Sequence, residues 1–341
     1  MASSAGRLDR LWQRGREFLG TDYAIMGGAM SWISERHLVA AISNAGGFGV
    51  IACGSMEPAR LRAEIIATQE QTKRPFGVNL ITMHPDLDAL IDVCGQTHVS
   101  HIVLAGGLPS AAAIKRAKDT GAKVVCFAPA LVLAKKLVRS GVDALVIEGA
   151  EAGGHIGPVA TSVLAQEILP VMAEQLPIFV AGGIGRGEAI VSYLEMGAAG
   201  VQLGTRFVCA SECIAHPNFK QSFIRAAARD AVPTTQVDPV FPVIPVRALY
   251  NQGSKRFIEF QHDIIRRYRA GELEQKEAQL EIEHYWAGAL KRAVIDGDVE
   301  TGSVMAGQSV GLVTKVQPCA EILSELLDQA LGALASRSGL A

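Results

Sequence analysis

One histidine of the eight in this chain stands in a setting suited to chemistry. His155 lies in the run Ile147-Glu148-Gly149-Ala150-Glu151-Ala152-Gly153-Gly154-His155-Ile156-Gly157-Pro158, directly after an apolar stretch. An imidazole with an ordinary pKa of ~6.5 can take or give a proton near neutrality. The flanking Gly153, Gly154 and Gly157 let a ligand approach it with little obstruction. A histidine held for structural reasons is the competing reading, and the glycine setting favours catalysis. The other seven histidines lack this setting. His216 before Pro217 and His284 near Trp286 read as structural or lid residues, although His284 could line a substrate space.

Two further glycine turns follow apolar runs: Ala181-Gly182-Gly183-Ile184-Gly185 and Gln202-Leu203-Gly204-Thr205. Backbone without side chains lets N–H groups reach anionic oxygens, so the pair predicts a phosphate-bearing ligand. The blander alternative is that these glycines only permit tight turns. Gly47-Phe48-Gly49-Val50-Ile51-Ala52 spells a formal GxGxxA, but it enters an apolar run instead of following one, and reads as a turn. Asn79 and Glu148 end two other apolar runs. The amide offers both donor and acceptor to a heterocyclic ring. The carboxyl either accepts from a ligand hydroxyl or binds backbone N–H groups of its own glycine loop.

These residues need a scaffold that brings run ends together. Eight short β-branched segments are expected as strands: Ala24 to Met26, Gly49 to Ala52, Phe76 to Leu80, His101 to Leu104, Lys123 to Phe127, Ala144 to Ile147, Ile178 to Ala181 and Gly200 to Leu203. Stretches such as Glu57 to Gln69 and Pro109 to Thr120 separate them and are long enough for crossover helices. Strands apolar on both faces suit a parallel sheet covered by helices. Eightfold alternation predicts an α/β fold, a closed (β/α)8 TIM barrel, whose strand ends form one catalytic face. After Arg206 the rhythm stops. Prolines 217, 233, 239, 242 and 245 mark an irregular segment, followed by amphipathic helix over 252–294 with Glu272 and Lys276 as an i,i+4 pair. The expected domains are an N-terminal docking helix (1–20), a barrel (21–214 with 303–341), and a mainly helical lid insertion (215–302).

Composition narrows the classes. The formal charge of −2 excludes an electrostatic nucleic-acid binder, and 49% hydrophobic residues exclude disorder. No apolar run approaches the ~20 residues that span a bilayer, so no membrane partner is expected. Six cysteines without a CxxC pair read as packing residues of a reduced, cytoplasmic protein, and no metal site is expected, Cys209 and Cys213 lacking a matching histidine pair.

With these motifs in place, the sequence resembles the nitronate monooxygenase family, which shares its barrel with enoyl-acyl-carrier-protein reductase II. The likeness spans nearly the whole chain, through residues 23–32, Ala45-Gly46-Gly47-Phe48-Gly49, Pro75-Phe76-Gly77-Val78-Asn79, residues 148–157, Gly204-Thr205-Arg206-Phe207 and Gly302-Ser303-Val304-Met305-Ala306-Gly307-Gln308. The resemblance implies FMN across the barrel mouth, contacted by Ala29, Met30, Asn79, Glu148, Ala181, Gly182, Gly183, Gly204 and Thr205, with its phosphate on the two glycine turns. It implies His155 as base or substrate-orienting residue, and a possible homodimer. Two reactions compete: oxidation of a nitronate or nitroalkane with O2, which is placed first, and NAD(P)H-dependent reduction of an enoyl thioester. Residues 284–308 look closer to the reductase branch. A non-catalytic FMN-binding module is a third reading. One departure stands out: the family commonly has glutamine where this chain has Gly27, before Gly28-Ala29-Met30-Ser31-Trp32.

Overall fold

A computed structural model describes residues 3–338, apart from Ser55, Ile244 and Ala287. The terminal positions of the expected first and last segments, and Ala287, therefore lie outside the described residues. Among those described, eleven strands form: β1 (Ile25–Gly27), β2 (Gly49–Ala52), β3 (Phe76–Ile81), β4 (His101–Ala105), β5 (Lys123–Phe127), β6 (Ala144–Glu148), β7 (Gly154–His155), β8 (Ile178–Ala181), β9 (Gly200–Leu203), β10 (Ala231–Pro233) and β11 (Val246–Leu249). Eight of them make one sheet in the order β1-β9-β8-β6-β5-β4-β3-β2, every neighbour parallel. A parallel bridge between Met26 and Phe48 joins its two ends, so the sheet is a (β/α)8 barrel. Its strands agree with the expected ones to within about a residue at each end, because runs buried on both faces need helices on one side and a filled interior on the other.

That interior is a small apolar cluster. Met26, Phe48, Val50, Val103, Val125, Ala144, Val146, Phe179 and Ala181 point inward, and Leu19 joins them from below. The expected single N-terminal helix is two, Ser4–Leu11 and Gln13–Leu19, broken at Trp12. Trp12 is buried and meets Tyr23 at a ring separation of 5.9 Å, so packing of one large side chain sets the break. The second helix delivers Phe18 to the N-terminal end of the barrel, edge-on to His101 at 5.0 Å. His101 is itself buried, with Nε2 3.0 Å from the Phe18 carbonyl. Burial, together with nearby Lys123, holds its pKa down at about 4.

The region after β9 is more ordered than its prolines suggest. Pro217 opens a helix (Pro217–Arg225), and Pro233 ends β10, an edge strand. Neither position needs an N–H for pairing, which is why proline is compatible with both. β10, β11 and β7 form a separate antiparallel sheet. Helices Gln252–Arg269 and Gln275–His284 then pack over it around their own core of Phe241, Phe257, Ile264, Ile265, Leu273, Ala278 and Ile282. The expected continuous helix breaks at Gly271, which adopts φ +76°, a conformation that favours glycine. Glu272 consequently sits in the turn, 3.9 Å from Arg267, and is not the helical partner of Lys276. All six cysteines are buried and free, with desolvation pushing the Cys209 thiol up to about 12. No helix among the described residues is long and apolar enough to cross a membrane.

Candidate active site

The C-terminal ends of the barrel strands and the turns after them collect the residues expected to contact the flavin, whereas His155 is carried by the small antiparallel sheet and lines a cavity to which none of those residues contributes. Strand periodicity explains the direction of the polar ones. Ala144 and Val146 belong to the interior cluster, so Glu148, two residues further on, points the same way at the rim. Register places Glu148 beside Ala181, Ala181 beside Gln202, and Gln202 beside Met26, one inward-facing row around the mouth. Asn79 comes from the same level on the opposite side, opposite Val103. A barrel filled with apolar side chains thus ends in a rim carrying two carboxamides and a carboxyl.

Glu148 accepts no hydrogen bond from any described residue, so its alternative role as holder of the glycine loop is overturned. Glu151 does that work: its Oε2 accepts from the Thr161 N–H at 2.8 Å and from the Thr161 hydroxyl at 2.9 Å, tying the loop to helix Thr161–Met172. Although Glu148 keeps some surface open to the mouth, the surrounding strands desolvate its carboxyl and raise its pKa to about 7. Asn79 donates through Nδ2 to the Val103 carbonyl at 3.2 Å, leaving Oδ1 without a partner among the described residues.

Gly182 and Gly183 take φ of +99° and +72° in succession. Neither N–H donates to a described residue. Two such unpaired amides side by side are free to donate to an anionic ligand, and a side chain at Gly182 would stand 2.8 Å from the Thr161 hydroxyl. Across the mouth, the Met30 thioether lies over Gly204, 3.4 Å from where a side chain there would begin. Ala29, Met30, Gly182, Gly183, Gly204 and Thr205 all keep accessible surface, whereas Ala181 is buried and serves only as floor. The Thr205 hydroxyl is already engaged, accepting from the Gly307 N–H at 3.0 Å.

Gln202 is a rim residue that the sequence reading did not single out. It is 7% exposed, and its Nε2 would stand 3.6 Å from a side chain at Gly28. A side chain at Gly27 would meet Ile42 at 2.7 Å, so Ile42 fills the space beside that glycine. The departure at Gly27 therefore removes one carboxamide from β1 while Gln202 presents another from the paired strand. A lone polar residue inside the apolar run Gly200–Leu203 was the available signal.

His155 is carried by β7, paired with Val246 of β11. Its ring makes no hydrogen bond to a described residue and keeps open surface. Partial desolvation lowers its pKa, so the neutral imidazole dominates near neutrality. It forms part of the wall of a cavity of about 410 Å³ between the small sheet and the lid helices. The remaining lining is mainly apolar: Val232, Pro233, Val243, Leu249, Phe257, Trp286 and Met305 among others. Tyr250 lines the cavity as well, whereas Phe241 and Tyr285 belong to the lid core, with Tyr285 stacked near Phe260 at 4.9 Å. His284 is exposed and absent from the wall, and His216 caps its helix by accepting from the Asn218 N–H at 3.1 Å.

Buried Arg247 fixes the histidine loop to the lid. Its Nε donates to the Ala150 carbonyl at 2.8 Å and its Nη1 to the Ala231 carbonyl at 2.6 Å. Arg247→Met is expected to lower unfolding free energy by about 1–3 kcal/mol, the cost of leaving buried carbonyls unpaired. It should also lower kcat. Denaturant titration and steady-state kinetics check this; wild-type values in both would remove Arg247 from loop positioning.

The model of the family described as nitronate monooxygenase matches residues 13–93 and 83–329. The chain belongs to the nitronate monooxygenase family. It is 30% identical to a (3aS,4S,5R,7aS)-5-hydroxy-7a-methyl-1-oxo-octahydro-1H-indene-4-carboxyl-CoA dehydrogenase of Mycobacterium tuberculosis, over 95% of this chain and 97% of that one. A probable nitronate monooxygenase of Staphylococcus aureus is 26% identical over 94% of this chain and 98% of its own. Among solved structures, FabK from Thermotoga maritima superposes with a TM-score of 0.87 at 33% identity, covering 96% of this chain and 99% of FabK. Members of the nitronate monooxygenase family named in this way are oxidoreductases, and so is this protein. The reading as a non-catalytic module is thereby set aside.

Proposed function

We propose that the protein is an FMN-dependent oxidoreductase acting at the Cα–Cβ position of an acyl thioester with a bulky apolar acyl group. The apolar cavity of about 410 Å³ walled in part by His155 carries this reading. Its volume and lining exceed what a short nitronate needs and suit an acyl chain or alicyclic ring. The likeness to a CoA-thioester dehydrogenase and to FabK supports the same choice.

The rim residues fit the flavin. The unpartnered N–H groups of Gly182 and Gly183, with the Gly204–Thr205 turn, would hold the phosphate. Glu148, Asn79 and Gln202 offer unused polar atoms to hydroxyls and ring edge, and Ala29, Met30 and Ala181 offer apolar floor and walls. Bound FMN supplies a two-electron donor and acceptor. The protein's own part is placement and proton handling. Phe257, Trp286 and Met305 seat the acyl group, and the lid excludes water. The neutral imidazole of His155 takes a proton from the α carbon when hydride leaves the β carbon, and returns it in the reverse direction. In reduction the balance is enoyl thioester plus NAD(P)H plus a proton giving acyl thioester plus NAD(P)+.

A second reading, nitronate oxidation, is favoured by the family model and the Staphylococcus aureus relatives. There His155 would remove the α-proton of a nitroalkane. Anaerobic mixing of the flavin-loaded protein with NADH, NADPH, a medium-chain acyl-CoA and propyl nitronate in parallel, following flavin absorbance, separates the two. Bleaching by nicotinamide or by the acyl-CoA is the expected result. Bleaching by nitronate alone would overturn the thioester reading.

A further inference from the structure

Outside the rim and the cavity, the turn after β1 brings an aromatic ring and two cations together at the surface. Trp32 follows β1, two residues beyond Met30, and holds φ +67°, a left-handed conformation that a bulky side chain rarely adopts. The strain is maintained by the turn itself: the Ile33 and Ser34 N–H groups both donate to the Met30 carbonyl, and the Ser34 hydroxyl donates to the Gly28 carbonyl at 2.9 Å. This conformation sets a half-buried indole at the edge of the mouth.

Two cations from different elements converge on that ring. The Arg60 guanidinium, from the first turn of helix Pro58–Gln71, lies 5.7 Å from its centroid, and the Lys291 ammonium, from the lid helix Ala289–Lys291, lies 5.2 Å from it. Both side chains are exposed, and neither forms an ion pair within 4.0 Å among the described residues. The first turn of the Arg60 helix holds no acidic residue, and its N-cap, Glu57, makes no capping bond. A cation at that end opposes the helix dipole. Each contact with the ring is worth about 0.5–1 kcal/mol when exposed, which leaves two positive charges within about 6 Å of one indole without a carboxylate partner among the described residues. An anion bound at the edge of that indole would attract both charges.

We propose that Arg60 and Lys291, gathered on Trp32, form a subsite for the phosphate or pyrophosphate of a nucleotide-bearing reactant. Either a CoA-type thioester or a nicotinamide dinucleotide carries that chemistry. The subsite rests on the reading of the protein as a thioester oxidoreductase for its role, but not for its detection. Because one cation stands on the barrel and the other on the lid, an anion held by both would also draw the lid segment toward the β1 turn.

The test uses the flavin-loaded protein, an Arg60→Gln/Lys291→Gln double variant, and an Arg60→Lys/Lys291→Arg control that keeps both charges. Calorimetric titration with inorganic pyrophosphate should show binding that the double variant weakens about tenfold and the control retains, since charge-assisted contacts to phosphate are being removed. The same variant should raise the KM for an acyl-CoA about tenfold without changing kcat, and leave the phosphate-free N-acetylcysteamine thioester of the same acyl group unaffected. If KM for NADH rises instead, the dinucleotide is the source. The wild-type preference for the phosphate-bearing reactant should shrink as salt is added. Pyrophosphate affinity equal in wild type and double variant, or no binding to either, would overturn the subsite whatever the substrate. Failure of the thioester reading shows separately, as wild-type inactivity toward both thioesters while pyrophosphate still binds.

Discussion

His155→Ala is expected to lower turnover by about a hundredfold or more, the usual contribution of a positioned acid or base, while the purified protein keeps its flavin. The separation of effects follows from the fold. The histidine rides on β7, anchored to β11 of the small sheet, whereas the turn proposed to hold the flavin phosphate follows β8. Removing an imidazole that makes no hydrogen bond to any described residue leaves no buried group among them unpaired, so stability should change little. His155→Gln should fare no better than alanine, because a carboxamide keeps polarity but cannot transfer a proton at neutral pH. Desolvation of the ring also makes the acid limb of the wild-type kcat/KM profile fall below the ordinary imidazole value, and that limb should vanish in both variants. Turnover within a few-fold of wild type in His155→Ala, with an unchanged pH profile, would remove the residue from the mechanism.

The barrel was legible because its signal is repetitive: eight apolar runs separated by helix-length stretches admit few other arrangements. The turn at Gly182 and Gly183 was legible because glycine marks it, and His155 drew notice as a titratable group among glycines, although its place on the small sheet was not foreseen. Gln202 escaped because a lone polar residue in an apolar run does not say which way it faces, and only the register with β1 and β8 shows it facing inward with Glu148. Arg247 escaped for a related reason. Its partners Ala150 and Ala231 are backbone carbonyls far apart in the chain, which no side-chain pattern announces. The lid was least legible, since Pro217 and Pro233 look like breakers in sequence but occupy a helix start and an edge strand.

The same placement logic gives opposite pH signatures at the two ends of the barrel. At the closed end, His101 is buried with its pKa lowered to about 4, mainly by desolvation. Between that value and the ordinary 6.5 the unfolded chain binds the proton and the folded one does not, so stability is full above 6.5 and lost as pH falls. At the open end, Glu148 has its pKa raised to about 7 from 4.5 by desolvation. There the folded protein binds the proton more tightly, so its contribution is present below 4.5 and lost as pH rises through 7. Each displacement corresponds to about 3 kcal/mol, an upper figure for Glu148 because part of it faces the mouth. The two run against each other over pH 4.5–6.5, and together they should leave wild-type stability nearly flat there. Substituting either group should expose the other. Glu148→Gln should grow more stable from pH 4.5 to 7, following His101 alone, and His101→Asn should grow less stable over the same interval, following Glu148 alone. The slope with pH is the readout, because loss of the His101 contacts with Phe18 and Phe48 shifts His101→Asn uniformly. Denaturant unfolding of the three proteins at four or five pH values checks this. Parallel profiles in all three would mean that neither burial controls the proton as described, and that the rim carboxyl is better solvated than its position among the strands implies.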